Sequence, residues 1–192
     1  MEKPIIFSAP MVRAILEDRK TQTRRVIVSD RSRPRCSANP ASGRLVYHDG
    51  AAWDASALQE FQGGNSLMKA ISKCPYGIPG SRLWVREKFR IGQGQKILYH
   101  DSQSRWAEGM RWKSSIHMPR SASRLTLEIT AVRVERLHAI SEDDAKAEGV
   151  QGIGAFRELY SCLWDEINAK RGHPWESNPW IWVLTFKRLE KA

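Results

Sequence analysis

The stretch from residue 123 to residue 137 constrains the fold more than any other. Leu125, Leu127, Ile129, Ala131 and Val134 are interleaved with Thr126, Glu128, Thr130 and Arg133. Alternation with a period near two is the mark of a half-buried strand. A long strand with one apolar face must lie in a sheet or barrel with a hydrophobic layer beneath it. Further strand-like runs occur at 4–7, 26–28, 82–87, 96–100 and 181–189. The last reads as an amphipathic strand.

Helical spacing is sparser. Met11, Val12, Ile15 and Leu16 predict a helix that begins at Ser8 or Ala9, tolerates Pro10 in its first turn and stops near Arg19 or Lys20. Ser141 precedes three acids, Glu142, Asp143 and Asp144, which suit a capped helix start. Gly149 suits that helix's end. Phe156, Leu159, Tyr160, Leu163 and Ile167 give a longer helix an apolar stripe over 155–170.

Strands and helices do not alternate as βαβ units, which argues against a doubly wound parallel sheet. An α+β fold fits better: a small mixed β-barrel with flanking helices. All 192 residues then form one domain. Residues 29–73 read as an inserted flap, rich in turn formers and too poor in apolar residues for its own core. A hairpin at 44–48 and 51–53 is the one regular feature expected there.

Composition narrows the function. The net charge of +10 favours polyanionic partners, nucleic acid first. No apolar run reaches the roughly 20 residues of a membrane helix. Met1-Glu2-Lys3-Pro4 lacks the basic and apolar regions of a secretion signal, so a cytoplasmic protein with no membrane partner is expected. Cys36, Cys74 and Cys162 are far apart and read as reduced thiols. Five scattered histidines show no metal-ligand spacing, and Gly92-Gln93-Gly94 is too short for a phosphate loop. Neither metal nor cofactor is expected. Oligomeric state is not readable.

Arg19-Lys20-Thr21-Gln22-Thr23-Arg24-Arg25 places four basic residues and two hydroxyls in seven positions, at a helix-to-strand junction. Such junctions, held by rigid elements, often carry function. A threonine hydroxyl needs an adjacent base to act as a nucleophile. Lys20 fits that role if burial and the neighbouring arginines depress its pKa. Glu148, the last residue before Gly149, puts a carboxylate at a helix C-terminus, against the helix dipole. Without function, Lys20 and Glu148 would be a surface ion pair worth under about 1 kcal/mol, and Thr23 a strand residue.

The order of these segments resembles the ASCH domain family, a branch of the PUA-like β-barrels. The resemblance rests on residues 15–25, the 80–85 turn and strand, the 126–136 strand, Glu148-Gly149-Val150 and the terminal 180–189 strand. Cys74-Pro75-Tyr76-Gly77 and His117-Met118-Pro119-Arg120 are similar to longer members carried by phages and prophages. The family implies a PUA-like barrel and RNA binding. Some members resemble acetylcytidine amidohydrolases, others ribonucleases. In the amidohydrolase pattern a Lys, a Thr three positions later and a distant Glu do the work, and Lys20, Thr23 and Glu148 match it. Arg19, Thr21, Arg24, Arg25, Arg86, His117 and Arg120 are then candidate contacts to a nucleic acid or other anion. The expected ligand is RNA or a modified nucleoside, with DNA as the alternative polyanion. A phage protein that binds a host factor is a third class, for which the sequence offers no partner signature.

Overall fold

A computed structural model of the protein describes residues 2–27, 44–46, 52–54, 74–100 and 111–189. Its centre is a five-stranded sheet in the order β1-β5-β8-β9-β2. These strands are β1 (Glu2–Ile6), β2 (Gln22–Val26), β5 (Arg82–Arg86), β8 (Thr126–Arg136) and β9 (Trp180–Leu189). β1 and β5 are parallel; the other pairs are antiparallel. Two short hairpins complete the strands: β3 (Arg44–Val46) with β4 (Ala52–Asp54), and β6 (Phe89–Ile91) with β7 (Ile97–Tyr99). The first lies where a hairpin was expected. The rest of the predicted flap falls outside the described residues, as does Val28.

The predicted long strand exists, with one departure from strict alternation. The ladder between β8 and β9 shifts register between Ile129 and Ala131. That bulge at Thr130 reverses the phase of the pleat. Leu127 and Ile129 face the main core before it, and Val132 after it, at 6% exposure. Ala131, expected inside by simple alternation, is only half-buried. Beyond the bulge, Glu135 therefore turns to the opposite face of the sheet.

Each face has its own core. Helix α1 (Ala9–Leu16) lays Val12 and Ile15 on one face, against Ile5, Phe7, Leu83, Leu184 and Phe186. Helices α2 (Glu142–Ala147) and α3 (Phe156–Asn168) cover the other, where Tyr160 and Trp164 meet Leu137, Ile140, Ile181 and Val183. β9 is thus not amphipathic as expected: it is buried on both faces from Ile181 to Leu184. The stripe expected on α3 also shifts, because Trp164 is buried and Leu159 is exposed. A third cluster of Phe89, Met118 and Ala122 sits under the β6–β7 hairpin.

The predicted first helix ends three residues early. Asp18 takes a left-handed conformation (φ 55°), and the amides of Arg19 and Lys20 both fold back onto the Ala14 carbonyl, at 2.8 and 3.0 Å. The reversal turns Lys20 inward, away from the helix surface.

The edge strands β1 and β2 face one another with no ladder between them. Arg25 spans the gap, its Nη2 donating to the Ile6 carbonyl at 2.8 Å. The sheet is in this sense an open barrel. No helix among the described residues is long and apolar enough to cross a membrane.

The bulge yields a stability test. Val132→Ser removes buried apolar surface and adds a buried hydroxyl, which should cost about 2–4 kcal/mol in urea unfolding. Ala131→Ser should stay within about 0.5 kcal/mol. The reverse ranking would show that the pleat keeps its phase through Thr130.

Candidate functional site

Helix α2 ends against the edge strand β2. The Thr21 amide donates to the Ala147 carbonyl and the Phe186 amide donates to the Thr21 carbonyl, both at 2.9 Å. These bonds carry the residue after the helix, Glu148, to the side of the strand. Gly149 follows with φ 84°, and a Cβ there would lie 2.9 Å from the Cβ atoms of both Ala14 and Lys20. Only glycine allows so close an approach of α1, Lys20 and the end of α2.

Lys20 and Glu148, 128 residues apart, meet in the interior at 2% and 3% exposure. Lys20 Nζ donates to Glu148 Oε2 at 2.5 Å and to the Glu148 carbonyl at 2.8 Å. The other carboxylate oxygen, Oε1, accepts from Arg24 Nη1 at 3.2 Å. Arg24 is also buried, and its Nη2 lies 3.1 Å from Glu135 Oε1 and 3.0 Å from Asp144 Oδ2. Gln22 Nε2 holds Asp144 Oδ1 at 2.9 Å. Two cations and three carboxylates form one network, with Tyr160 beneath Arg24 at 6.0 Å from its ring centre.

The surroundings shift the titrations. Burial pushes the Lys20 ammonium below the ordinary lysine range; the Glu148 carboxylate opposes that shift, and Arg25 and Arg24 add to it. Burial also disfavours charge on Arg24, but the carboxylates of Glu148, Glu135 and Asp144 outweigh it and hold the guanidinium charged. Burial, with Glu148 nearby, drives the Tyr160 hydroxyl well above the usual tyrosine range. For Asp144, burial raises the pKa, yet the Gln22 hydrogen bond and the charges of Arg24 and Arg133 bring it below the ordinary 3.8.

A cleft of about 930 Å³ opens beside this network, along the gap between β1 and β2. Thr23, Arg25, Glu148 and Tyr160 line it, and Phe7 forms part of its wall. Lys20 lies directly behind that wall, its Nζ 5.6 Å from the Phe7 ring centre. Arg25 sits 5.3 Å over the same ring. Its Nε is buried without a hydrogen-bond partner.

The structure thus brings Lys20, Glu148 and Arg24 into contact and puts Thr23 and Arg25 on the cleft. It disperses the other candidates. Arg24 reaches the lining but is held by carboxylates, so it is a structural cation and not a free anion contact. Arg19 pairs with Glu17 at 2.5 Å and donates to the Gly149 carbonyl at 3.3 Å, outside the cleft lining. Thr21 contributes its backbone, as described above. Arg86 donates to the Met118 carbonyl at 3.1 Å and stacks 4.9 Å over Trp84. Arg120 pairs with Glu2 at 2.6 Å, and His117 is exposed in a 3₁₀ turn. None of these three lines the cleft.

Sequence reasoning missed Glu135, Asp144, Tyr160 and Phe7 as members of this neighbourhood. Asp144 reads locally as a helix-start acid, and its amide does donate to the capping Ser141 hydroxyl oxygen at 3.1 Å. Only the pairing of distant strands reveals its second role.

No protein-family model matches the chain, and no curated protein matches it. Solved structures do. The chain is similar to an ASCH domain. That domain, from Lactobacillus crispatus JV V101, matches 97% of this chain and 79% of its own at 12% identity and a TM-score of 0.43. A protein from Enterococcus faecalis V583, described by the family model DUF984, matches over 97% and 76% at 11% identity and a TM-score of 0.44.

Removing the central carboxylate should be costly. Glu148→Gln leaves Lys20 and Arg24 short of a counter-charge, and should lower unfolding stability by about 3–5 kcal/mol. Lys20→Met in the same background should recover part of that loss; a double variant no better than Glu148→Gln would sink the pairing. Asp144 gives a pH signature. Its depressed pKa stabilises the fold fully above 3.8, and the contribution is lost as pH falls through the folded value. Unfolding curves against pH should show a shallower acid limb for Asp144→Asn.

Proposed function

We propose that the cleft between β1 and β2 binds RNA or a modified nucleoside. One observation carries the reading: the buried Lys20–Glu148 pair stands directly behind a cleft whose lining holds Thr23 and Arg25. The volume, about 930 Å³, suits a nucleoside with room for a neighbour. Tyr76, Phe7 and Tyr160 supply aromatic surface, and Arg25 supplies charge with an unused donor. The order of ASCH-like segments in the sequence agrees with this ligand class.

A second reading, hydrolysis of acetylated cytidine, is favoured by the Lys20–Glu148 pair behind the cleft that Thr23 lines, where burial lowers the lysine's pKa. In this reading Lys20, in the minor neutral form that its lowered pKa makes more accessible, accepts the Thr23 hydroxyl proton as Oγ attacks the acetyl carbon. The carbon–nitrogen bond breaks, and Lys20 returns the proton to the departing exocyclic nitrogen. Water then cleaves the acetyl-threonine ester to acetate and restores the hydroxyl. Glu148 orients the amine throughout. Arg25 stabilises the oxyanion.

Fluorescence anisotropy with single-stranded RNA and DNA across a salt series tests the binding reading. Affinity should fall with salt, and Arg25→Gln should weaken it about tenfold or more. Thr23→Val should leave it unchanged. No binding of RNA, DNA or nucleoside at low salt overturns the reading. Chromatography of acetylcytidine incubated with the protein tests the second. Turnover should fall about 10²–10⁴-fold in Lys20→Met. Cleavage of the RNA chain itself would replace the amidohydrolase with a ribonuclease.

A further inference from the structure

The cleft has a second end. From the Thr23 end it follows β1, whose Ile6 pairs with Arg86 on β5. Two residues past Arg86 stands Lys88, exposed and lining the cleft. The His100 amide donates to the Lys88 carbonyl at 2.9 Å, which fixes these residues side by side at the open end of the β6–β7 hairpin. Ser115 joins them. It opens a 3₁₀ turn two residues after Lys113, whose backbone bridges to Phe89. Three separate segments thus deliver an ammonium, an imidazole and a hydroxyl to one end of the cleft.

One atom there lacks a partner. His100 Nδ1 is buried and makes no hydrogen bond. The ring itself is held edge-on to Trp112, at 5.0 Å between centres. A buried polar atom without a partner is costly, and a ligand that bonds to it relieves that cost. The charges select the ligand. Among the described residues, the carboxylates that line the cleft are Glu148, already held by Lys20 and Arg24, and Glu166 on α3. The α3 end therefore offers an anion a neighbouring carboxylate, whereas Lys88, His100 and Ser115 have none beside them among the described lining residues.

We propose that Lys88, His100 and Ser115 form a phosphate subsite for the nucleotide next to the one at Thr23. The ligand is then an oligonucleotide and not a free nucleoside. This inference rests on the proposed binding of a nucleoside at the Thr23 end. Nδ1–H of His100 and the Ser115 hydroxyl donate to phosphate oxygens, and Lys88 supplies charge.

Calorimetric titration with cytidine, a cytidine dinucleotide and a short single-stranded RNA tests it. The dinucleotide should bind at least tenfold more tightly than cytidine. Lys88→Gln and His100→Phe should remove most of that difference and leave cytidine affinity unchanged. The phenylalanine keeps a ring against Trp112, and the Lys88 change is on the surface, so a fold defect is separable by circular dichroism. Lys88→Gln should also reduce the salt slope for the dinucleotide by about 0.7. Cytidine binding with no gain for the dinucleotide, or a gain that both variants retain, overturns the subsite alone. Absence of binding by all three ligands overturns the subsite together with the binding reading beneath it.

Discussion

Burying two cations against one carboxylate is the constraint on which the neighbourhood of the cleft depends. Removing Lys20 and Arg24 from water is expensive, and Coulomb attraction repays it only when geometry is good and the remaining donors are met. Glu148 supplies both conditions by dividing its oxygens, one to each cation, and adding its own carbonyl to Lys20. Glu135 and Asp144 add partners for the Arg24 guanidinium, whose Nε keeps no hydrogen-bond partner. Apolar replacements of similar shape often stabilise such sites. A network this costly is therefore better explained by what it holds in place than by stability.

What it holds is an edge. β2 borders the sheet, and its outer side is where strands commonly recruit unwanted partners. Here the end of α2 covers it through the Thr21–Ala147 bond. The same contact delivers Glu148, so protection of the edge and construction of the site are one arrangement. Across the gap, Phe7 directly follows β1, and its ring meets both Lys20 and Arg25. The cleft exists because the two edges approach without pairing.

Much of this was legible in the sequence, for identifiable reasons. Periodicity revealed α1, β5, β8 and α3 because each has one apolar face. Ser141 and Gly149 marked the ends of α2 through local chemistry alone. The pairing of Lys20 with Glu148 came from a family pattern, since nothing within either segment points to the other. Three things stayed hidden. The commitment of Arg24 to Glu135 and Asp144 depends on strand register. The double burial of β9 depends on α2 and α3 covering its second face. The early stop of α1 depends on Asp18 adopting a conformation that aspartate tolerates but does not announce. Arg86, His117 and Arg120 were grouped by charge, which says nothing about the direction a side chain takes.

The bulge at Thr130 bears on how this chain can be aligned with chains of low sequence identity. Between chains of low identity, alignments are guided mostly by hydrophobic pattern. A strand that changes phase midway defeats that guide: its two halves obey different parities. An ungapped alignment to a relative without the bulge would match Glu135 to a residue on the wrong side of the sheet, and the shell around Arg24 would look unshared. One gap placed at Thr130 restores the correspondence. In this strand a single-residue length difference thus carries more information about common architecture than many substitutions do.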